Sequence, residues 1–390
     1  MQKSILPFFS DQFSILFTDW SAVRFKSSVF PALEMGATNS PHRQYSDSDI
    51  QQLKEFAKDR GIIIVPEIDV PGHASSFRPL ESVDGVKFCS SLKFQLWNDP
   101  EKLTLNTLKL LIKEMASKFD SPIFHVGGDE TKELGNCKTS DIQELTKSMQ
   151  EHVKALGKIP MAWNEIVTDL HVQGHLDTII QCWNNCDVAA IARQGHRVIY
   201  SKMHDFYLDF VSQTCTLQGS LRGACLWKDI AESFSQDSEE ELPLLLGGSA
   251  AMWNDEYCPK SKCVGHGDGW GGKMGFMYPK AQDNSFAKSF LAVIFPRLSL
   301  VAGSLWHWER ISDKSFINRR LHDKDRPLEV LIQDYAVSAA RLEIEMQRLI
   351  KLEKVDDVVV NQDEESVSCP WDCKGGCTMQ SRCGVAYRPQ

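Results

Sequence analysis

Short runs of consecutive apolar residues alternate, over the first two-thirds of the chain, with segments whose apolar positions recur every three or four residues. The short runs are Phe13–Thr18, Ile62–Val65, Ile123–Val126, Pro160–Trp163, Thr178–Trp183, Arg197–Tyr200 and Leu244–Trp253, and each predicts a strand. Continuous apolarity means burial on both faces, the pattern of parallel strands covered by helices. Between the runs, Ser46 fits an N-cap, and Ile50, Leu53 and Ala57 share one helical face before a stop at Gly61. Leu108, Leu111, Ile112, Met115 and Phe119 line a second helix, and Ile142, Leu145, Met149 and Val153 a third over Asp141–Leu156. A further helix is predicted from Leu328 to about Leu352. Strand followed by helix, repeated, predicts an α/β fold around a parallel sheet. Seven strands are countable, whereas a (β/α)8 TIM-type barrel needs eight, so we expect a barrel whose first strand is missing before residue 13 or degenerate.

With 390 residues, 42% of them hydrophobic, the chain can bury the core of such a barrel. We expect the barrel to occupy residues 1–354, incomplete at its start, and residues 355–390 to form an acidic linker, including Asp363–Glu365, and a Cys-rich tail. A net charge of −9 without a long basic run argues against a nucleic-acid partner. Pro296 and Arg297 break the most apolar late stretch, Phe290 to Trp306, so no membrane span is expected. Twelve cysteines suggest an oxidising compartment. Cys369, Cys373, Cys377 and Cys383, like Cys258 and Cys263, suit disulfides, with zinc as the competing reading of the tail. The first residues, interrupted by Lys3, Asp11 and Gln12, make a poor signal peptide; a chain that begins part-way through its fold would reconcile that with the cysteines.

Catalytic groups of a parallel barrel sit where the strands end. The second predicted strand runs into Glu67, Asp69 and His73, and the third into His125, Gly127, Gly128, Asp129 and Glu130. The fourth ends at Trp163, Asn164 and Glu165, and the fifth at Trp183. Tyr207 and Asp209 follow the sixth, and Trp253, Asp255 and Glu256 the last. Indole rings stack on the apolar faces of sugars and carboxylates bind hydroxyls, so this face has the composition of a carbohydrate site.

The blocks VPEIDVPGHA (Val65–Ala74) and HVGGDE (His125–Glu130) resemble the signatures of glycoside hydrolase family 20, the β-N-acetylhexosaminidases. The likeness continues in order through IPMAWNE, TIIQCW, FYLD, GGSAAMW and FPRLSLVAGSLW, over roughly residues 13 to 310. The resemblance implies a retaining exo-glycosidase that removes terminal β-linked N-acetylglucosamine or N-acetylgalactosamine from glycans and glycoconjugates. It implies Glu130 as general acid and Asp129 as the group holding the 2-acetamido N–H, so that the acetamido oxygen forms an oxazolinium; this substrate-assisted route is a stated exception among glycosidases. Tyr207 resembles the donor to the acetamido carbonyl, and Trp163, Trp183 and Trp253 the walls of the pocket. His73 would couple the acid to Asp19, Asp255 would grip distal hydroxyls with Asp209 beside it, and Glu67, like Asp69, would support from behind. Glu130 would need a raised pKa, which a tryptophan-walled pocket could supply. No metal or organic cofactor is implied; a homodimer is the assembly that the family suggests, and the secretory pathway, lysosomal or extracellular, the location.

The sequence departs from the family pattern before Phe13, where no hydroxyl-binding arginine is supplied, and at Ile15–Trp20, which is several residues short. Asp255 also stands where the family usually has glutamate. These departures keep open an impaired sugar-binding pseudoenzyme or a truncated isoform. Internal cleavage of chitin is a third alternative, against which the tryptophan box argues. Trp306 and Trp308 read as core, and His125 and Glu165 as structural.

Overall fold

The computed structural model describes residues 12–18, 23–36, 44–89, 94–172, 176–208 and 244–253, with positions 298 and 301. The expected helix at 328–352, the Cys-rich tail, Cys258, Cys263, Trp306 and Trp308 lie outside the described residues, as do Asp19, Asp209 and Asp255. The chain forms two compact units, one of Ser10–Tyr200 with Glu239–Gly247, the other of Met1–Phe9, Ser201–Ser238 and Gly248–Gln390.

The first unit is a curled parallel half-barrel. Its strands are β1 (Gln12–Leu16), β2 (Ile63–Glu67), β3 (Ile123–His125), β4 (Ile159–Trp163), β5 (Ile179–Cys182), β6 (Val198–Tyr200) and β7 (Leu245–Gly248), and they stand in one sheet in chain order. Pairing is parallel from β1 through β6. The seven strands fall where the apolar runs place them, because β2 to β5 are buried along almost their whole length. Val65, Ile123, Met161 and Ile179 pack into a common cluster, one residue from each of four neighbouring strands. β1 is an outer member of the sheet, and its Phe13 is 56% exposed.

The helices cover the sheet as the periodicity predicts. α1 (Asp47–Lys58) starts at Ser46, which forms a reciprocal capping box with Asp49. The short α2 (Pro79–Val83) follows β2. α3 (Leu103–Lys118) buries Leu108, Leu111, Ile112 and Met115, each contributing about 1.5–3 kcal/mol relative to exposure. Its first turn is capped from outside the helix: Asp99 accepts the N–H groups of Leu103 and Thr104 at 3.0 and 2.9 Å. α4 (Thr139–Ala155) buries Ile142, Leu145, Met149 and Val153. Short helices α5 (Glu165–Thr168) and α6 (Val188–Arg193) follow β4 and β5, and α7 (Met203–Phe206) follows β6.

Two disulfides lie among the described residues, at cysteines for which sequence gave no pairing. Cys89–Cys137 joins the segment after β2 to the segment after β3, with Cα atoms 5.1 Å apart. Beside it the Gln95 side chain donates to the Lys132 carbonyl and accepts from the Lys132 N–H, at 2.8 and 2.9 Å. Cys182–Cys186 closes a five-residue loop at the end of β5.

Candidate active site

In the first unit, the ends of β2, β3, β4 and β5 bring together six of the side chains picked from sequence: Glu67, His73, Asp129, Glu130, Trp163 and Trp183. The acids are delivered by an unusual backbone. Gly127 has φ +72°, and a Cβ there would collide with the Asp69 carboxylate and stand 2.6 Å from Asp69 Cα. Only glycine therefore lets the β3 end close down on the β2 end. Gly72 plays the reciprocal part, since its Cβ would lie 2.6 Å from the Asp129 carbonyl oxygen. Glu130 itself is left-handed, φ +50°, as is His73 at φ +47°.

The result is a small cluster of titrating groups. His73 Nε2 lies 3.5 Å from Asp129 Oδ2 and 3.3 Å from Glu130 Oε2. The side chain of Asp129 is 14% exposed and that of Glu130 is 51% exposed, so the two consecutive acids differ sharply in solvation. Asp69 is buried behind them; its N–H donates to Thr18 Oγ1 at 2.9 Å and its Oδ1 accepts from the Gly128 N–H at 3.3 Å. Asp69, His73 and Asp129 present ligand atoms within 4.8 Å of one another, so they are the described residues that could offer donors to a cation.

Burial drives the carboxyls of Asp69 and Asp129 upward, Asp69 strongly so, with the neighbouring Asp129 charge adding to it. The His73 charge opposes the rise at Asp129. Glu130 goes the other way: a hydrogen bond from His73 holds it below the usual glutamate range and outweighs its partial burial. The raised acid expected at Glu130 is therefore absent in the unliganded protein. The physical reason is its half-exposed carboxylate, which loses too little water to offset a donor at 3.3 Å.

Behind the acids, two glutamates each hold one indole. Glu67 Oε1 accepts from Trp163 Nε1–H at 3.0 Å and lies 2.9 Å from His125 Nδ1. Glu165 accepts from Trp183 Nε1–H with both oxygens, at 2.8 and 2.9 Å. The two indoles meet edge to face with centroids 6.3 Å apart. Trp163 is 3% exposed, so it backs the site, while Trp183 is only partly buried. Sequence reading supplied Glu67 as a support and left Glu165 as merely structural; burial of a carboxylate right after a strand-end tryptophan was the signal for a closer tie.

The second unit, taken by itself, pairs Tyr207 with Trp253. Leu208 N–H donates to the Ala251 carbonyl at 2.7 Å, and Ala251 N–H donates to the Phe206 carbonyl at 3.2 Å. This short parallel bridge brings the two rings to 5.9 Å.

The sequence model of "Glycosyl hydrolase family 20, catalytic domain" matches residues 11–265, more than half of the chain. The chain belongs to this family. Its match to the β-hexosaminidase subunit alpha of Bos taurus is 26% identical over 337 residues, covering 78% of this chain and 56% of the bovine protein. The β-hexosaminidase subunit beta of Entamoeba histolytica is 25% identical over 340 residues, 76% of this chain and 54% of that one. The chain thus spans about half the length of the curated relatives it matches. Among solved structures, a family 20 β-N-acetylhexosaminidase of Bacteroides fragilis superposes with a TM-score of 0.56 at 19% identity, over 80% of this chain and 64% of that one. The exo-β-N-acetylglucosaminidase of Vibrio harveyi, solved with N-acetylglucosamine, gives 0.55 at 20% identity, over 79% and 51%. These structural likenesses extend the half-barrel to the fold of family 20 catalytic domains. The family's matched span includes the Asp129–Glu130 pair, both supporting glutamates and the Tyr207–Trp253 pair.

Proposed function

We propose that the protein is a retaining exo-β-N-acetylhexosaminidase acting on glycans and glycoconjugates that end in N-acetylglucosamine or N-acetylgalactosamine, with the half-barrel as the larger part of a (β/α)8 barrel. The observation that carries this is the contrast between two adjacent carboxylates, Asp129 nearly buried and Glu130 half-exposed, on one strand end. Ordinary retaining enzymes place two carboxyls about 5 Å apart on opposite sides of the scissile bond. Consecutive residues addressing one face suit a different division of labour. Glu130 gives its proton to the glycosidic oxygen as the bond to the anomeric carbon breaks. The acetamido oxygen of the same sugar forms the new bond, and the Asp129 carboxylate takes the acetamido N–H as positive charge grows there. Water then attacks the anomeric carbon, Glu130 recovers its proton from that water, and the acetamide is released.

The resting protonation fits a site that becomes competent on binding. Without ligand, His73 holds Glu130 ionised and burial favours a proton on the Asp69–Asp129 pair. A sugar covering the open side of Glu130 removes its water and raises it, while an acetamido N–H favours ionised Asp129. His73, within 3.5 Å of both, is the group between them. Glu67 fixes Trp163, and Trp183 presents a ring edge to the pocket. For Tyr207, Trp253, Asp209, Asp255 and Asp19 the roles rest on motif position: acetamido donor, sugar-face wall, hydroxyl ligands, and partner of His73. Disulfides in the half-barrel favour the secretory pathway as the location, and no described helix is long and apolar enough to cross a membrane.

The test is hydrolysis of a chromogenic aryl N-acetyl-β-glucosaminide by the purified protein, with the plain aryl β-glucoside as control. Release from the first alone is the expected result. Equal release from both would remove the acetamido group from the mechanism, and release from neither would remove hydrolysis from the function.

A further inference from the structure

Glu165 stands where the acid-bearing strand end meets the tryptophan-bearing one. It is the first residue of α5, directly past Trp163 and Asn164, and is 8% exposed. Both of its oxygens accept from the Trp183 indole N–H. The same carboxylate accepts the backbone N–H of Glu130 and its own N–H. A carboxylate that only capped its helix would need that helix's N–H groups alone. This one reaches to the ends of β3 and β5.

What it holds would otherwise be free to shift. Glu130 sits at φ +50°, a conformation that a glutamate leaves unless its surroundings fix it. The main chain around Trp183 is already secured. Asn164 Oδ1 accepts from the Trp183 N–H at 2.9 Å, Asn164 Nδ2 donates to the Asn184 carbonyl at 2.9 Å, and Cys182–Cys186 closes the loop. Those ties act on the backbone of Trp183, whereas the Glu165 tie acts on its ring.

We propose that Glu165 is a positioning residue that fixes the separation of Glu130 from the Trp183 ring by accepting N–H groups from both; this rests on the reading of Glu130 as the proton donor. A glycosidic bond stacked on the ring then lies at a set distance from the proton it needs. Loss of the tie lets the acid's backbone relax and costs the chemical step more than substrate binding.

The discriminating variant is Glu165→Gln, which keeps the size but replaces one acceptor oxygen with a donor. The first readout is amide hydrogen exchange across residues 126–132. Exchange at Glu130 should be faster by about tenfold in E165Q, the loss expected for one charge-assisted hydrogen bond. The second is kinetics on the aryl N-acetylglucosaminide: kcat should fall by about 10- to 100-fold with a smaller change in KM. Trp183→Phe combined with E165Q should lose less than the product of the two single losses. Glu144→Gln on the surface of α4, whose partner is Lys102, should alter none of these. Unchanged Glu130 exchange in a folded E165Q overturns the proposal. So does failure of both E165Q and Glu165→Asp to fold, which would make Glu165 a stability residue. If the parent protein hydrolyses nothing, the proposed function falls and the exchange result still decides the role of Glu165.

Discussion

Glu130 and Glu165 are the same residue type, one strand end apart and joined by the Glu130 N–H, yet their surroundings push them in opposite directions. Glu130 is half open to water and faces His73, which holds its carboxyl down. Glu165 is buried, feels the Asp129 charge, and is pushed up to about 8 although Trp183 and two backbone N–H groups oppose the rise. An exposed acid beside a cation changes its proton readily when a ligand replaces its water; a buried acid among neutral donors keeps its geometry. Position in the half-barrel, rather than chemical type, separates the group suited to moving a proton from the group suited to holding others in place.

The sharpest way to break that division is Glu130→Gln. It removes the proton donor and should lower kcat on the aryl N-acetylglucosaminide by about 10²–10⁴-fold, measured at constant pH. A Glu130 variant that retains its rate would leave the comparison without content. Asp129→Asn keeps the shape but cannot carry the negative charge that the acetamido group needs, and should cost about 10²–10³-fold in kcat. Because burial raises Asp129, the acid limb of the parent's kcat/KM profile should lie above the ordinary aspartate value of 3.8, with activity lost as pH falls through it.

Packing supplies the next contrast. Gly127→Ala drives a methyl into Asp69 at φ +72°, and should destabilise the fold by about 2–4 kcal/mol in urea unfolding. Gly157→Ala, at φ +75° with nothing within 4 Å of the added carbon, should cost about 1–2 kcal/mol. Equal losses would mean that the close approach of β3 to β2 is not tight. The smallest expected effect is in pH-dependent stability. The folded state holds the Glu165 proton up to about 8, against 4.5 ordinarily. The stabilisation from that proton is complete below about 4.5 and is lost as pH rises through about 8. The Tm of E165Q relative to the parent should therefore rise across that window; a flat difference would mean that Glu165 ionises normally.

Much of this was readable from sequence, for identifiable reasons. Strands buried on both faces leave continuous apolar runs, which is why Ile123–His125 and Ile179–Cys182 were found; faces packed on the sheet leave the period of Leu108, Leu111, Ile112 and Met115. Order and composition at strand ends gave Asp129, Glu130, Trp163 and Trp183. The direction of the Glu130 shift was not readable, since it depends on a histidine 57 positions earlier being turned to within 3.3 Å. The Asp69–Asp129 contact was equally hidden, because it follows from the left-handed turn at Gly127. Cys89–Cys137 spans 48 positions, and nothing in spacing selects that pair among twelve cysteines. Glu165 was taken as structural because a single carboxylate after a strand reveals neither of the partners it reaches.

The most direct measurement compares an aryl N-acetyl-β-glucosaminide with its N-trifluoroacetyl counterpart, which has the same shape at a much less nucleophilic carbonyl oxygen. A steep fall in kcat/KM is the result predicted for a substrate whose own amide attacks the anomeric carbon between Asp129 and Glu130. Equal rates for the two compounds would contradict it.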